Sequence, residues 1–156
     1  MALRPRKRRW RRWLAYALVA ALVLFGLAQL VPYGRDHANP RVGAEPRWDS
    51  PLTRALAADA CFDCHSDLTK WPWYSKVAPV SWLIQRDVES GREELNFTQW
   101  LRAQDGAGDA VEVTRSGSMP PWYYKAMHPN ARLTSAERTR LADGLERTLR
   151  ASPSGG

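Results

Sequence analysis

The sequence predicts an all-α protein in which a small helical domain follows a single N-terminal transmembrane helix. Three observations support this fold class. Residues 14–31 form one uncharged apolar run that is long enough for a membrane-spanning helix. From residue 50 onward, apolar side chains recur at the spacing of helix faces. No stretch alternates apolar and polar residues for long enough to predict a strand.

The formal net charge of +7 is concentrated at the N-terminus. Seven arginine and lysine residues fall within the first twelve positions, and no acidic residue accompanies them. The other cationic side chains are balanced by the 16 acidic ones. Because a nucleic-acid binder carries its basic patch on the folded domain, this distribution argues against nucleic acid as a partner.

The apolar run at residues 14–31 is predicted to be an uncleaved signal anchor that crosses the inner (cytoplasmic) membrane once. A helix of this length extends about 27 Å, close to a hydrocarbon thickness of about 30 Å. Trp10, Trp13 and Tyr33 flank the run as interfacial aromatic residues. Residues 1–13 are then a cytoplasmic basic flank, and the C-terminal domain lies in the periplasm or outside the cell.

A cleaved signal peptide is the alternative to an anchor. Gly26 and Ala28 form a small-x-small pattern that a signal peptidase accepts. The apolar run, however, passes that point without a polar break. Both interpretations export the C-terminal domain.

The exported part divides by composition into a linker, a domain and a tail. Residues 32–49 contain three prolines and two glycines, so we predict a flexible linker in which His37 is solvated. Residues 50–150 form the helical domain. Residues 151–156 are predicted to be a disordered tail.

Capping signals predict four or five short helices in the domain. Ser50 before Pro51 is an N-cap, and Thr134 with Glu137 fits a capping box. Further helices are predicted from Pro79 to a stop at Gly91, from Thr98 over Trp100 and Leu101, and near residues 110–116 with a stop at Gly117.

The only two cysteines, Cys61 and Cys64, lie in the sequence CFDCH directly before His65. A thioredoxin-like dithiol needs a parallel sheet, a structural zinc ion needs four converging ligands, and a disulfide here would close too small a loop to stabilise much. Covalent attachment of one haem meets every constraint. We expect haem c, bound through two thioethers, with His65 as a ligand of its iron.

The second axial ligand of the iron is predicted to be Met119. It stands in the sequence GSMPPW, where a glycine and two prolines stiffen an irregular loop around a flexible thioether. His128, Met127 and an open or water-bound position are the alternatives. Core packing is the ordinary role of a methionine, and a polar turn before Pro129 is the ordinary role of His128.

Three tryptophans after the cysteines are candidate cofactor contacts. Trp71, Trp73 and Trp82 would pack around the ring, and at least one indole N–H could bond a haem propionate. Most of them are expected to serve as core residues as well. Lys70, Lys76 and Arg86 are alternative propionate partners, although each is ordinarily a solvated side chain.

Three linked stretches, CFDCHSDLTKWPWYSKVAPVSWL, GREELNFTQW and SGSMPPWYYKAMHPNARLTSAE, give the chain a family resemblance. Over roughly residues 47–146 it resembles the small haem-binding domain family of exported bacterial monohaem c-type cytochromes. The resemblance implies a small cytochrome c-like helical domain that carries haem at Cys61, Cys64 and His65, with Met119 as distal ligand. The short glycine-rich sequence AQDGAGDA departs from the longer helix expected there.

These features predict a membrane-tethered electron carrier with redox partner proteins at the membrane. A haem with histidine and methionine ligands has no vacant position and passes single electrons. A haem-based sensor and an accessory haem subunit of a membrane oxidoreductase are the alternatives. A self-contained enzyme is not predicted, because no acid and base pair accompanies an open iron site.

Overall fold

The computed structural model describes residues 6–155, so the start of the predicted basic flank and the last residue of the predicted tail lie outside the described residues. Every regular element within 6–155 is helical and none is a strand, which confirms the all-α prediction. The α-helices are α1 (Arg6–Ala28), α2 (Pro51–Ala60), α3 (Phe62–His65), α4 (Val80–Glu94), α5 (Ala110–Ser116), α6 (Trp122–Met127) and α7 (Ser135–Ala151). Single 3₁₀ turns form at Trp73–Lys76, Asp105–Ala107 and Pro129–Ala131.

The chain divides into two compact units. The first unit comprises the described residues up to Asp36 together with Pro72–Gln85. The second unit comprises His37–Trp71 and the described residues from Arg86 onward.

The first unit is built on α1, whose segment Arg9–Ala28 is the one described helix long and apolar enough to cross a membrane. Just after α1, the Gln29 side chain pairs with the backbone of Ala78. Its Nε2 donates to the Ala78 oxygen at 2.9 Å, and the Ala78 nitrogen donates to its Oε1 at 3.1 Å. Gly34 has φ +78°, and a Cβ there would lie 2.5 Å from the Ser81 oxygen. The chain after α1 therefore contacts the segment that leads into α4.

The second unit encloses an aromatic and aliphatic core between α2, α5 and α7. The Phe97 ring stacks on Phe62 at 5.8 Å and on Trp100 at 6.0 Å. A Cβ on Gly144 of α7 would lie 2.1 Å from the Thr53 Oγ1 of α2. Glycine at this position therefore lets the two helices approach closely, and Leu56, Leu141 and Leu145 are buried beside them.

Helix ends that depend on local capping are confirmed. Ser50 accepts a hydrogen bond of 3.2 Å from the Thr53 nitrogen at the start of α2. Thr134 and Glu137 form the predicted capping box of α7. Gly117 ends α5 in the left-handed region at φ +76°.

Two predicted elements are wrong. The helix expected to stop at Gly91 continues to Glu94. No helix begins at Thr98, where one was predicted over Trp100 and Leu101. The Thr98 hydroxyl is fully buried and accepts from the Asp67 nitrogen at 2.8 Å, so it joins two loops instead of capping a helix. Six α-helices lie between residues 50 and 155 rather than four or five, because α3 and α6 form short additional helices.

The predicted linker has no helix or strand, and its later part contacts the second unit. Gly43 donates a backbone hydrogen bond of 2.9 Å to Thr98, and Ala44 accepts one of 2.9 Å from Trp100. His37, predicted to be solvated, instead stacks on Trp71 with 4.5 Å between ring centroids. At the other end of the chain, the Trp100 indole donates a 2.8 Å hydrogen bond to the Ser152 oxygen, within the predicted tail.

Candidate functional site

A cavity of about 340 Å³ lies within the second unit. Its volume falls in the range of about 300–1,000 Å³ that small-molecule and cofactor sites occupy. Four predicted site residues line it, namely Cys61, Cys64, His65 and Met119. The rest of the lining is largely apolar and includes Leu95, Phe97, Val113, Pro120, Pro121 and Leu145.

The C-x-x-C-H sequence folds into one helical turn at the end of α2. The Cys61 nitrogen donates to the Ala57 oxygen at 2.8 Å, and the Cys61 oxygen accepts from the His65 nitrogen at 2.8 Å. Phe62 is buried in the core and anchors this turn. Both thiols and the imidazole are therefore carried by one short, well-fixed piece of backbone.

The hydrogen bonds of His65 determine which ring nitrogen carries its proton. Nδ1 lies 2.9 Å from the Gly91 oxygen and 3.0 Å from the Leu95 oxygen. Because carbonyl oxygens only accept, Nδ1 must donate, and the lone pair remains on Nε2. Burial lowers the pKa of His65, which favours the neutral ring. A neutral imidazole with Nε2 free is the form that binds a metal.

Gly91 allows α4 to reach the C-x-x-C-H turn. A Cβ at this position would lie 2.5 Å from the Cys64 oxygen and 3.0 Å from the Cys64 Cβ. A glycine inside a helix costs about 1 kcal/mol relative to alanine. The close approach, which also brings the Gly91 oxygen to His65, explains why glycine stands within α4 rather than at its end.

Both cysteines are free and partly buried. Burial raises the pKa of each thiol to about 12, and for Cys64 the nearby carboxylates Asp87 and Asp63 add to the effect. The two side chains are therefore protonated thiols at neutral pH.

Met119 reaches the cavity from the loop that follows α5. Its nitrogen donates a 3.1 Å hydrogen bond to the Val113 oxygen, which folds the loop back onto α5. Pro120 beside it is buried, whereas Met119 is 43% exposed. Met119 thus lies at the edge of the cavity and is also open to solvent.

The two alternative distal ligands do not line the cavity. His128 stacks on Tyr124 with 3.9 Å between ring centroids, and its Nδ1 lies 3.0 Å from the Tyr124 oxygen. Met127 is 60% exposed. Of the three sequence candidates, Met119 is the one that the structure brings to the same cavity as His65.

None of the three predicted tryptophan contacts is among the residues that line the cavity. The Trp71 indole donates a 3.2 Å hydrogen bond to Asn39, and Trp71 is absent from the cavity lining. Trp73 and Trp82 belong to the first unit, and Trp73 is 80% exposed. A propionate contact from any of the three stays a prediction.

Two tyrosines that sequence analysis did not single out also line the cavity. The Tyr124 hydroxyl donates to Asp63 at 2.7 Å, and the Tyr123 hydroxyl donates to Asp87 at 2.9 Å. Burial and the hydrogen bond to a carboxylate raise the pKa of Tyr123 to about 12 and that of Tyr124 further still. The sequence WYY after two prolines could have indicated that these tyrosines matter. It could not identify their carboxylate partners, because Asp63 and Asp87 are distant in sequence.

These residues fit a haem group. The cavity is apolar, a neutral imidazole lies at one wall with a lone pair on Nε2, a thioether lies at the cavity, and two reduced thiols stand one turn apart. An all-helical unit with C-x-x-C-H at such a cavity is typical of haem-binding proteins. Among the described residues, no group of three or more His, Cys, Asp or Glu side chains could hold a metal ion by itself.

A model of the family described as "Haem-binding domain" matches residues 23–147, well over half of the chain. The protein therefore belongs to the haem-binding domain family, and haem is its cofactor. Comparisons with curated proteins and with solved structures gave no match.

Proposed function

We propose that the protein is a membrane-tethered monohaem c-type cytochrome that transfers single electrons on the periplasmic or outer side of the membrane. One observation carries this proposal: Cys61, Cys64, His65 and Met119 line a single apolar cavity. The thiols suit covalent attachment, and the imidazole and thioether suit the two axial positions of the iron.

Covalent attachment would use the free thiols of Cys61 and Cys64. Each sulfur would bond one carbon of a vinyl group and the thiol proton would pass to the other carbon, so the step needs no oxidant. The His65 nitrogen donates to the Cys61 oxygen and closes the single turn of α3. Both sulfurs and the imidazole therefore keep fixed positions relative to one another. Two thioether bonds would keep the cofactor on the protein through repeated reduction and oxidation.

Bound haem supplies a reversible one-electron centre at its iron. The Nε2 of His65 and the sulfur of Met119 would hold the iron, and a centre with both ligands would be suited to passing electrons. A thioether ligand favours the ferrous state and raises the reduction potential. The largely apolar lining would leave few polar groups to reorient when the charge of the iron changes. These properties favour electron transfer over catalysis.

The tether is proposed to be α1, and the basic flank, which includes its first turns, would stay in the cytoplasm. Its segment Arg9–Ala28 has the length and composition of a membrane span. A carrier fixed to the membrane meets redox partners in that membrane at a raised effective concentration.

A haem-based sensor is a second candidate, because the 43% exposure of Met119 would let this ligand leave the iron. The two functions differ in the reaction of the reduced protein with carbon monoxide. A carrier should bind it slowly at neutral pH, whereas a sensor should bind it rapidly.

A redox titration of purified full-length protein, followed by visible absorbance, tests the proposal. We expect one reversible transition that fits a single electron. An irreversible change, or rapid carbon monoxide binding by the reduced protein, would overturn electron transfer as the function.

A further inference from the structure

Three exposed apolar side chains of the first unit lie in the segment Pro72–Gln85. Trp73 is 80% exposed, Val80 is 43% exposed and Leu83 is 42% exposed. They belong to a 3₁₀ turn and to the first turns of α4. We call these three residues the exposed patch.

Hydrogen bonds fix this segment to the end of α1. The Gln29 nitrogen donates to Phe25 at 3.2 Å, so Gln29 continues the last turn of the helix. Its side chain both donates to and accepts from the backbone of Ala78. Gln29 is the one strongly polar side chain in the apolar run 14–31, and this pairing accounts for its presence.

The position of Gln29 sets the depth of the exposed patch. If α1 crosses the bilayer, Gln29 lies where the hydrocarbon core ends, and a polar layer of about 5–8 Å begins there. Ala78 is within hydrogen-bond distance of Gln29, and it lies between Trp73 and Val80 in the chain. In that case the patch would lie near the level of the lipid headgroups.

The chemistry of the segment suits that layer. Tryptophan is enriched at the membrane interface, where its ring is buried and its N–H remains solvated. Lys76, in the same 3₁₀ turn, is exposed and could bond lipid phosphate. Val80 and Leu83 supply the apolar side chains that an interfacial helix inserts.

We propose that the exposed patch binds the surface of the same bilayer that α1 crosses. Trp73 then lies among the headgroups, which differs from the cofactor contact that the sequence predicts for it. The inference rests on the proposed membrane tether. The first unit would then be held to the bilayer by the exposed patch as well as by α1.

Spin labels in reconstituted vesicles test this inference. Full-length holoprotein would carry one added cysteine, either Trp73→Cys or Leu83→Cys, while thioether formation leaves the native cysteines unlabelled. Accessibility to oxygen, which concentrates in lipid, is compared with accessibility to a water-soluble nickel chelate, and lipid labels of known depth calibrate the ratio. We expect both positions at headgroup depth, with an oxygen-to-nickel ratio several-fold above that of free label. An unchanged visible spectrum shows that each variant is folded.

A third label at Leu22→Cys, within α1, separates failure of the inference from failure of the tether. Lipid contact at position 22 with aqueous labels at 73 and 83 would overturn the inference and leave the tether standing. Aqueous labels at all three positions would overturn both. Labels at 73 and 83 shielded from oxygen and nickel alike would show a protein partner on the patch, which also overturns lipid binding.

Discussion

The phenol of Tyr124 donates a 2.7 Å hydrogen bond to the carboxylate of Asp63, which lies between the two cysteines of the C-x-x-C-H turn. The other oxygen of that carboxylate accepts from the Lys70 nitrogen at 3.0 Å. Tyr124 belongs to α6, which begins three residues after Met119. The hydrogen bond therefore connects the segment that carries the proposed distal ligand to the turn that carries His65.

Replacing Tyr124 with phenylalanine should loosen the segment that carries Met119 from the C-x-x-C-H turn. A hydrogen bond to a charged group contributes about 1.5–3 kcal/mol, so the free energy of unfolding should fall by a similar amount. The reduced variant should also bind carbon monoxide faster than wild type, because the distal segment is less firmly held. Stopped-flow mixing measures that rate.

The matched control is Tyr123→Phe, which removes the same hydroxyl from the next residue of α6. Its partner is Asp87 of α4, not a residue of the C-x-x-C-H turn. We expect a comparable loss of stability with a smaller change in carbon monoxide binding. Equal rates for the two variants would show that the bond to Asp63 does not position Met119.

Gly91→Ala should destabilise the protein although alanine favours helix. Intrinsic propensity would stabilise α4 by about 1 kcal/mol. The new Cβ, however, would lie 2.5 Å from the Cys64 backbone oxygen, so α4 or the turn must shift. We expect a lower yield of covalently bound haem and a lower melting temperature. Gly108→Ala is the control, because nothing lies within 4 Å of a Cβ at that position. A Gly91→Ala protein with normal haem content and stability would refute the close approach.

Met119→Ala should convert the haem toward high spin and lower its reduction potential. The reason is the loss of the thioether, which favours ferrous iron. Visible spectroscopy and a redox titration measure the two effects. Met127→Ala removes an exposed methionine that does not line the cavity, and it should leave both unchanged. An unaltered spectrum in Met119→Ala would exclude Met119 as a ligand.

The ion pair of Glu45 with Arg54 should make stability depend on pH below the neutral range. Two hydrogen bonds of 2.7 Å from Arg54 hold the pKa of Glu45 below its ordinary value of 4.5. A carboxylate with a lowered pKa stabilises the fold above its unfolded pKa, and this contribution is lost as the pH falls through the folded pKa. Because Arg54 is well exposed, the effect should be about 0.2–1 kcal/mol.

Glu45→Gln measures this contribution in urea titrations. The variant should be less stable than wild type at pH 6, and the difference should shrink as the pH falls below 4.5. A difference that is constant over this range would assign the effect to packing instead of charge.

Helix caps and the haem cofactor could be predicted from the sequence because both signals depend on neighbours in the chain. Ser50 and Thr134 bond backbone groups three residues on, so their patterns are complete within one turn. The C-x-x-C-H turn is equally local. Spacing alone therefore identified Cys61 and Cys64 as residues that the structure places at one cavity.

Features decided by distant contacts could not be predicted in this way. Gly91 reads as a helix stop by propensity, yet its role depends on Cys64, which belongs to a different helix. Thr98 reads as an N-cap, yet its hydroxyl bonds residues on two loops. Tyr124 and its partner are 61 residues apart, and no local pattern relates them.

The most direct test of the account is the haem spectrum of the full-length protein, purified from a host competent for cytochrome maturation. After acid-acetone extraction, the pyridine haemochrome of the remaining protein should show one c-type haem per chain, and the reduced-minus-oxidised spectrum should be that of a low-spin centre. A colourless protein, or haem that the solvent removes completely, would contradict covalent attachment at Cys61 and Cys64.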